Sequence, residues 1–560
     1  MSAVPSTAKV APRGQSHGGL VVAALIVCAL VLLPVATLAY IALTGTGEDW
    51  PHLVKNVLPR SALTTLHLLA FVAIGSATIG VTCAWLVVAF DFPLRRTLSW
   101  ALVLPLAVPP YLAAYAWAEF FLFAGPVQSG WRALFGFVTP RDYWFPDVRT
   151  TTGAAIVLSS VLFPYVYLTA RVVFLMQGRN IADVARTLGA RPAKVFFRVL
   201  LLVARPAIVA GLVLVLMETV NDIGASEYLG VRTLTFSVFS TWLNRGSLEG
   251  AAQIAMLMLA LVAALLAAEQ WARRKQRFHT GRATQIAARP PRTRLRGWRA
   301  GVATTAALLP VLFGFGIPLY AFGRYSLRRL DMFVSPELLG ALFNSVLMAT
   351  ITATATVACA LFLLHAVRLA RSGKVTALVR SASLGYALPG TILGLGLLFS
   401  LGAIDNAVDA FARANLGFST GLILTGSGAA VVIACMIRFL ALAEGALRSG
   451  LEKLPPHLDE AARSLGHGPQ ASAMRVLLPL LRPAILTAGV LVFVDTVKEL
   501  SATILLRPFG FNTLATSVYE NASRAVVEDA GPAALLIIVT ALVPVLLLAR
   551  ALARDREALL

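Results

Sequence analysis

The sequence predicts an all-α polytopic membrane protein built from two parallel six-helix repeats. Hydrophobic residues make up 58% of the 560 residues and charged residues only 13%, about half the charged share of an ordinary soluble domain. Apolar runs long enough to cross the roughly 30 Å hydrocarbon core of a bilayer recur along the whole chain. A polar, charged segment also occurs twice, in two copies whose registers agree. Composition therefore predicts the membrane class, and the repeat predicts a duplicated unit.

Twelve apolar runs reach the length of about 18–20 residues that a membrane-spanning helix needs. The first follows Lys9 and Arg13 and is longer than the apolar core of a signal peptide, so we expect an uncleaved first span. The twelve predicted spans are residues 20–43, 62–90, 99–123, 153–177, 206–229, 250–270, 301–323, 340–366, 377–403, 419–440, 483–505 and 531–552.

The repeated polar segment covers residues 181–211 in the first half and 458–489 in the second, and both copies contain RVLL and RPAI at the same spacing. An even number of spans separates equivalent points, which returns the chain to the same side of the membrane. The halves are therefore predicted to be parallel repeats about a pseudo-twofold axis along the membrane normal. The predicted units are a cytoplasmic tail (1–19), a first repeat (20–270), a basic linker (271–300), a second repeat (301–552) and a cytoplasmic tail (553–560).

The net charge of +21 is explained by membrane topology rather than by nucleic-acid binding. With both termini in the cytoplasm, 34 of the 48 Lys and Arg residues lie on the inner side, 13 on the outer side and Lys498 within a span. This is the positive-inside pattern. The linker carries ten basic and no acidic residues, and we interpret it as a solvated loop beside anionic headgroups, with a regulatory contact as the alternative.

The predicted outer loops and the proline positions add detail to each half. Residues 124–152 form a long loop rich in aromatic residues, which we interpret as an interfacial belt or short re-entrant helix, with a partner contact as the alternative. The matching loop, 404–418, is expected to be shorter. Pro105, Pro109-Pro110 and Pro389-Gly390 predict breaks in spans three and nine, either as plain kinks or as flexing points.

The polar repeat has the pattern of a helix–turn–helix on the inner membrane surface. Gly189 and Gly466 each end a turn as helix C-caps, and Pro192 and Pro469 follow near the start of a second short helix. An ordinary connecting loop is the alternative, but it does not explain a duplication in matched register. The candidate docking residues are Asp183, Ala185, Arg186, Gly189, Glu460, Ala461, Ala462, Arg463 and Gly466.

This pattern resembles the EAA loop of ABC-importer permeases. Residues 460–462 (Glu-Ala-Ala) with Gly466 match it fully, and Leu478-Pro479 supplies the Leu-Pro pair of the family. The first copy keeps Gly189 but has Asp-Val-Ala at 183–185 and Leu202 at the proline position. The resemblance implies the type I importer permease fold, with both loops acting as coupling helices that dock into an ATP-hydrolysing subunit.

A second resemblance narrows the subfamily. Residues 495–523 (DTVKELSATILLRPFGFNTLATSVYENAS) and 163–175 (FPYVYLTARVVFL) closely resemble ferric-iron importer permeases of the fused, twelve-span type. This implies an ATP-driven, binding-protein-dependent importer of Fe(III) in the bacterial inner membrane. The implied partners are two copies of an ABC ATPase, which would hold ATP and Mg²⁺, and an extracytoplasmic substrate-binding protein. No cofactor is expected on this chain itself.

Four acidic residues recur inside equivalent predicted spans: Glu218 and Asp222 in the first half, Asp495 and Glu499 in the second. A carboxylate inside a bilayer costs at least a few kcal/mol, so such residues are functional candidates. We expect Asp222 and Glu499 one helical turn beyond Glu218 and Asp495, on the same face. The four carboxylates would then line a translocation path for a hard cation. The alternative is that Lys498 and Asn221 pair with these acids to fix helix packing or a gate.

Several function classes are excluded or disfavoured. The sequence contains no G-x-x-x-x-G-K-[ST] motif, so this chain is not expected to hydrolyse ATP by the P-loop route, and we expect no enzyme activity. The seven His and four Cys residues have no metal-ligand spacing, so no metal site is assigned. The alternatives kept open are a related permease for thiamine, polyamine or phosphonate, and a gradient-driven secondary transporter of the major-facilitator type.

Overall fold

The computed structural model describes residues 18–45, 47–176, 195–274, 292–370, 373–382, 385, 388–452, 454, 458, 464 and 468–554. The fold of this part is helical, apart from one pair of two-residue strands. The first half contains α1 (Gly18–Thr44), α2 (Trp50–His52), α3 (Leu58–Ala89), β1 (Phe90–Asp91), α4 (Arg95–Ala101), α5 (Pro110–Phe121), α6 (Pro126–Phe135), α7 (Thr151–Met176), α8 (Leu201–Asn221), α9 (Ile223–Tyr228), α10 (Leu234–Leu243) and α11 (Leu248–Arg274).

The second half repeats this order. It contains β2 (Thr293–Arg294), α12 (Trp298–Val311), α13 (Ile317–Arg328), α14 (Pro336–Ala370), α15 (Gly373–Ala382), α16 (Gly390–Leu416), α17 (Ala429–Glu452), α18 (Pro469–Ser472), α19 (Leu478–Leu480), α20 (Arg482–Val497), α21 (Thr503–Leu506), α22 (Leu514–Ser523) and α23 (Gly531–Arg554). Single π-helical turns lie at 53–57, 196–200, 312–316 and 473–477, each directly before a described helix. Turns of 3₁₀ helix lie at 104–107 and 330–334.

The predicted multi-pass helical architecture is confirmed. In the described part of the chain, nine helices are long and apolar enough to cross a membrane, or up to 11 if two bent pairs each count as one span. The bent pairs are 95–107 with 110–135, at 97°, and 470–480 with 482–497, at 71°. The last predicted span corresponds to α23, whose apolar part is shorter.

The proline-based breaks are also found. Span three is interrupted between Ala107 and Pro110 because prolines supply no backbone N–H for a continuous helix. In span nine, Pro389 is the N-cap of α16. The long outer loop contains the short helix α6, which begins at Pro126 and ends at Gly136 in a left-handed conformation (φ 73°).

Two predictions in the second half are wrong. The loop expected at 404–418 is helical as far as Leu416, and span ten runs over 429–452 rather than 419–440. The connection lies instead at 417–428, where Gly417 and Gly421 have positive φ. The Asp405 carboxylate fixes this connection by accepting hydrogen bonds from the backbone N–H groups of Leu424 (2.9 Å) and Thr425 (2.8 Å).

Equivalent contacts recur in the two halves. The Leu234 N–H donates to Thr65 Oγ1 (2.9 Å), and the Leu514 N–H donates to Ser345 Oγ (2.8 Å), with a separation of 169 residues in both cases. Thr233 and Thr513 then cap α10 and α22 in the same way. The two repeats therefore match in side-chain detail as well as in helix order.

The halves interlock through their first helices. α1 packs against α11, the last helix of its own half, and against α16 of the other half. In the same way α13 packs against α23 of its own half and α5 of the other. Glycines permit the closest approaches. A Cβ on Gly396 of α16 would lie 2.4 Å from Pro34 O of α1, and one on Gly314 would lie 2.1 Å from Ser160 O of α7.

The end of the predicted linker is joined to the first half. Residues 90–91 pair in parallel with residues 293–294, and the Leu295 N–H donates to Asp91 O at 2.9 Å. Arg95, whose side chain is buried, contacts Asp91 Oδ1 at 3.1 Å. The remainder of the linker, residues 275–291, lies outside the described residues.

Candidate translocation site

A cavity of about 80 Å³ lies where α8 and α20, the equivalent helices of the two halves, come to an end. All five residues predicted for the translocation path line this cavity: Glu218, Asp222, Asp495, Lys498 and Glu499. Helices α5, α7 and α17 complete its wall with Tyr111, Tyr165 and Arg438. The structure thus brings the acidic residues of both halves together in one place.

The position of Asp222 differs from the one expected. α8 ends at Asn221, and Asp222 has an extended backbone (φ −82°, ψ 105°). Its side chain instead caps α9, where Asp222 Oδ1 accepts from the Ala225 N–H at 3.3 Å. The prediction that Asp222 follows Glu218 on one helical face is therefore wrong, because the helix stops before it.

Glu499 lies in the equivalent position of the second half and makes more contacts. α20 ends at Val497, so this acid also lies beyond its helix and not on the face of Asp495, contrary to expectation. Its carboxylate accepts from the backbone N–H groups of Ala502 (2.9 Å) and Thr503 (3.0 Å) and from Thr503 Oγ1 (2.6 Å). Arg438 Nη1 lies 2.9 Å from Glu499 Oε1, and both side chains are at least nine-tenths buried.

The remaining second-half acid is paired as well. Lys498 Nζ lies 2.7 Å from Asp495 Oδ1. Arg438 was not among the predicted site residues, although an arginine inside the apolar run of span ten was a usable signal. Its partner could not be read from the sequence, because 61 residues separate it from Glu499.

The two halves also meet at this cavity through Asn221. Asn221 Oδ1 accepts from the Gly390 N–H at 2.5 Å, at the start of α16. Asn221 O accepts from Ser501 Oγ at 3.0 Å. Asn221 therefore contacts the second half through its side chain and its backbone.

A tyrosine-rich cluster lies between the cavity and the predicted outer loops. Glu119 on α5 accepts from the hydroxyls of Tyr228 and Tyr325, each at 3.2 Å, and Glu227 accepts from Tyr519 at 2.7 Å. The Tyr115 ring joins this cluster to the cavity, since its centroid lies 4.5 Å from that of Tyr228 and 5.9 Å from that of Tyr111. Sequence reasoning missed this cluster because its members are far apart in the chain.

The predicted docking residues lie outside the described residues. These are Asp183, Ala185, Arg186, Gly189, Glu460, Ala461, Ala462, Arg463 and Gly466. The described residues on either side of the first docking segment both contact α3. The centroid of the Trp85 ring lies 5.5 Å from that of Phe174 and 5.3 Å from that of Phe196. The chain therefore leaves and returns at the end of α3 that carries β1.

In the described part of the chain, no group of three or more His, Cys, Asp or Glu side chains is arranged to hold a metal ion. The cavity nevertheless has four carboxylates for two cationic side chains. An arrangement of this kind favours the passage of a cation over that of an anion.

The Arg438–Glu499 pair gives a direct test of the site's architecture. Arg438→Leu leaves a buried carboxylate without its cation, a change that costs about 3–5 kcal/mol, so we expect a clearly lower unfolding temperature of the purified chain. The double variant Arg438→Leu, Glu499→Gln is expected to regain much of that loss. Arg413→Leu is the control, because Arg413 pairs with Asp409 but is 65% exposed and such a pair contributes about 0–1 kcal/mol. Equal unfolding temperatures for Arg438→Leu and the unchanged chain would contradict this account.

Comparison with known proteins finds similar membrane transport proteins. Residues 76–277 match the family described as "Binding-protein-dependent transport system inner membrane component". The chain is 25% identical over 521 residues to the Fe(3+)-transport system permease protein FbpB 2 of Haemophilus influenzae, covering 91% of this chain and 94% of that protein. It is 26% identical over 503 residues to the probable ABC transporter permease protein y4fN of Sinorhizobium fredii, covering 84% of each.

A shorter relative is informative about the two halves. The molybdenum transport system permease protein ModB of Escherichia coli is 28% identical over 246 residues, which cover 42% of this chain but 99% of the relative. Less than half of this chain thus aligns with nearly the whole of a shorter permease. Over residues 76–277 the chain is thus similar to the inner-membrane components of binding-protein-dependent transport systems, and it has the two-half permease fold of type I ABC importers.

Proposed function

We propose that the chain forms the translocation pathway of an ATP-driven, binding-protein-dependent importer and that its substrate is ferric iron. The observation that carries the substrate assignment is the excess of carboxylates over cationic side chains around the cavity between the halves. Fe(III) is a hard cation that prefers oxygen ligands. The relative named for Fe(3+) transport supports the same choice, since it aligns with both halves.

The relatives named for molybdenum and sulfate transport support the transporter class but not the same substrate. Molybdate and sulfate are oxyanions, and a path for them would need an excess of hydrogen-bond donors or cations. Among the described residues, Arg438 and Lys498 are the two cationic side chains of the cavity lining, and each contacts a second-half carboxylate. The local charge therefore favours a cation.

The energy source is proposed to be a separate ABC ATPase in two copies, which would bind ATP and Mg²⁺. The sequence has no P-loop of its own. The segments around 183–189 and 460–466 would dock one ATPase copy each on the cytoplasmic side. Both termini are proposed to lie on that side, in the inner membrane of a bacterium, in agreement with the distribution of Lys and Arg.

Transport would proceed by alternating access between the two halves. A substrate-loaded binding protein would deliver the ion at the outer loops, where residues 124–152 include α6 and its aromatic neighbours. Closure of the ATPase pair would move the docking segments and open the contacts made by Asn221 at the cavity. The ion would then pass from the tyrosine-rich cluster to the acidic cavity and on to the cytoplasm. The chain binds and orients the ion and needs no chemical step of its own.

The proposed function is tested by reconstituting the chain with its ATPase in lipid vesicles. We expect that a binding protein loaded with iron stimulates ATP hydrolysis several-fold and drives iron uptake, whereas molybdate- or sulfate-loaded binding proteins do not. Stimulation by a thiamine- or polyamine-loaded protein instead would overturn the substrate assignment. Uptake driven by a proton gradient without the ATPase would overturn the importer class.

The docking segments give a second test. Gly189→Trp and Gly466→Trp add a bulky side chain at predicted helix C-caps, so both are expected to lower ATPase binding and iron uptake at least tenfold, with the larger effect at Gly466. Gly301→Trp is the control, because Gly301 lies near the start of α12 with open space around it. If both docking variants still co-purify with the ATPase and still take up iron, these segments do not dock the ATPase.

A further inference from the structure

The two halves of the cavity are not equivalent, although they derive from one repeat. With the 277-residue offset, Asp222 corresponds to Glu499, Asn221 to Lys498 and Val161 to Arg438. All six residues line the same cavity. Asp222 and Glu499 each also accept a hydrogen bond from the backbone N–H three residues ahead. The differences are cationic: the second half has Arg438 and Lys498 where the first half has Val161 and Asn221, and Arg438 is the one that pairs with the Asp222 counterpart, Glu499.

In the second half, the Glu499 carboxylate is held by contacts within the protein. Glu499 accepts three hydrogen bonds from Ala502 and Thr503 and contacts Arg438. A carboxylate has about four lone-pair positions, so these four contacts use the hydrogen-bonding capacity of Glu499. Glu499 therefore fixes the fold at this point and has little left to offer a ligand.

Asp222, the counterpart of Glu499 in the first half, makes fewer contacts with the protein. Asp222 is 8% exposed, and its Oδ2 atom has no hydrogen-bond partner among the described residues. Tyr111 is 3% exposed, and its hydroxyl is without a partner in the same part of the chain. A buried polar group left unsatisfied costs about 1–3 kcal/mol, and more when it is charged. Two such groups in one cavity indicate a place where a ligand or water completes their contacts.

The geometry keeps these two groups together. Tyr111 packs directly on the segment after Asp222, because a Cβ on Gly224 would lie 2.7 Å from Tyr111 Cβ. Any side chain at position 224 would therefore push the tyrosine away. A cavity of about 80 Å³ holds several water molecules, which is room for an ion that keeps part of its hydration.

We propose that Asp222 and Tyr111 of the first half bind a hard multivalent cation in this cavity, and we call this the one-sided cation site. The second half forms the facing wall of the cavity with the Arg438–Glu499 ion pair. The proposal rests on the proposed function, and it identifies which half holds the transported ion. Two protein oxygen donors and water make a weak site from which an ion can leave. A transport path needs such a site, in contrast to a structural metal site with a full set of ligands.

The test uses Tb³⁺, a hard trivalent cation whose luminescence is sensitised by nearby tyrosines. The purified full chain, in nanodiscs of zwitterionic lipid, is titrated with Tb³⁺ alone. We expect saturable, tyrosine-sensitised luminescence for the unchanged chain. Asp222→Asn is expected to weaken Tb³⁺ binding at least tenfold, and Tyr111→Phe to weaken it several-fold and reduce the sensitised signal.

The asymmetry itself is tested at position 161. Val161→Arg recreates the second-half arrangement beside Asp222, so it is expected to abolish Tb³⁺ binding, while the matched control Val161→Leu keeps binding within twofold of the unchanged chain. If Val161→Arg does not fold, the Tb³⁺ affinities of Asp222→Asn and Tyr111→Phe test the proposed site on their own. Unchanged Tb³⁺ affinity in Asp222→Asn, or in folded Val161→Arg, would overturn the proposal.

These outcomes are separable from those of the proposed function. Tb³⁺ binding is measured on the chain without ATPase or binding protein, whereas the substrate assignment is measured by ATPase stimulation of the unchanged complex. Iron-stimulated transport together with unaltered Tb³⁺ binding in the variants would refute the one-sided site and leave the function intact. Failure of iron stimulation would refute the substrate assignment whatever the variants bind.

Discussion

The constraint on which this structure depends is that two helices end inside a membrane protein. Backbone groups exposed by a helix end cannot be satisfied by lipid and need partners within the protein. α8 ends at Asn221 and α20 at Val497, and in each case an acidic side chain accepts a hydrogen bond from a backbone N–H in the first turn of the next helix. The carboxylates therefore lie at the centre of the fold for a structural reason, and the same position makes them available to a cation.

Duplication supplies the symmetry, and the difference between Val161 and Arg438 breaks it at the Asp222 and Glu499 carboxylates. Arg438 neutralises Glu499, while its counterpart Val161 offers Asp222 no charge. A symmetric arrangement with two arginines would have sealed the cavity, and one with none would have left two buried charges uncompensated. One paired and one unpaired carboxylate combine a stable wall with a binding site. The interlocked first helices, α1 and α13, pack against α16 and α5 of the opposite halves.

The sequence was sufficient for the fold class and for most spans, because hydropathy and helix length are local properties. It was also sufficient to bring Glu218, Asp222, Asp495, Lys498 and Glu499 into one site, because the matched offset implied a shared axis. It failed where tertiary contacts decide the local structure. The ends of α8 and α20 and the connection at 417–428 are set by capping bonds. The Glu119–Tyr228–Tyr325 contacts join residues more than 100 positions apart.

The central claim is that substrate passes between the halves at the cavity where Asn221 meets Ser501. The most direct measurement is iron uptake by the reconstituted complex after a disulfide is formed between Asn221→Cys and Ser501→Cys, in a chain whose Cys28, Cys83, Cys359 and Cys435 have been replaced. The account predicts that oxidation stops uptake and that a reductant restores it, because the halves can no longer separate. Undiminished uptake by the fully cross-linked complex would contradict it.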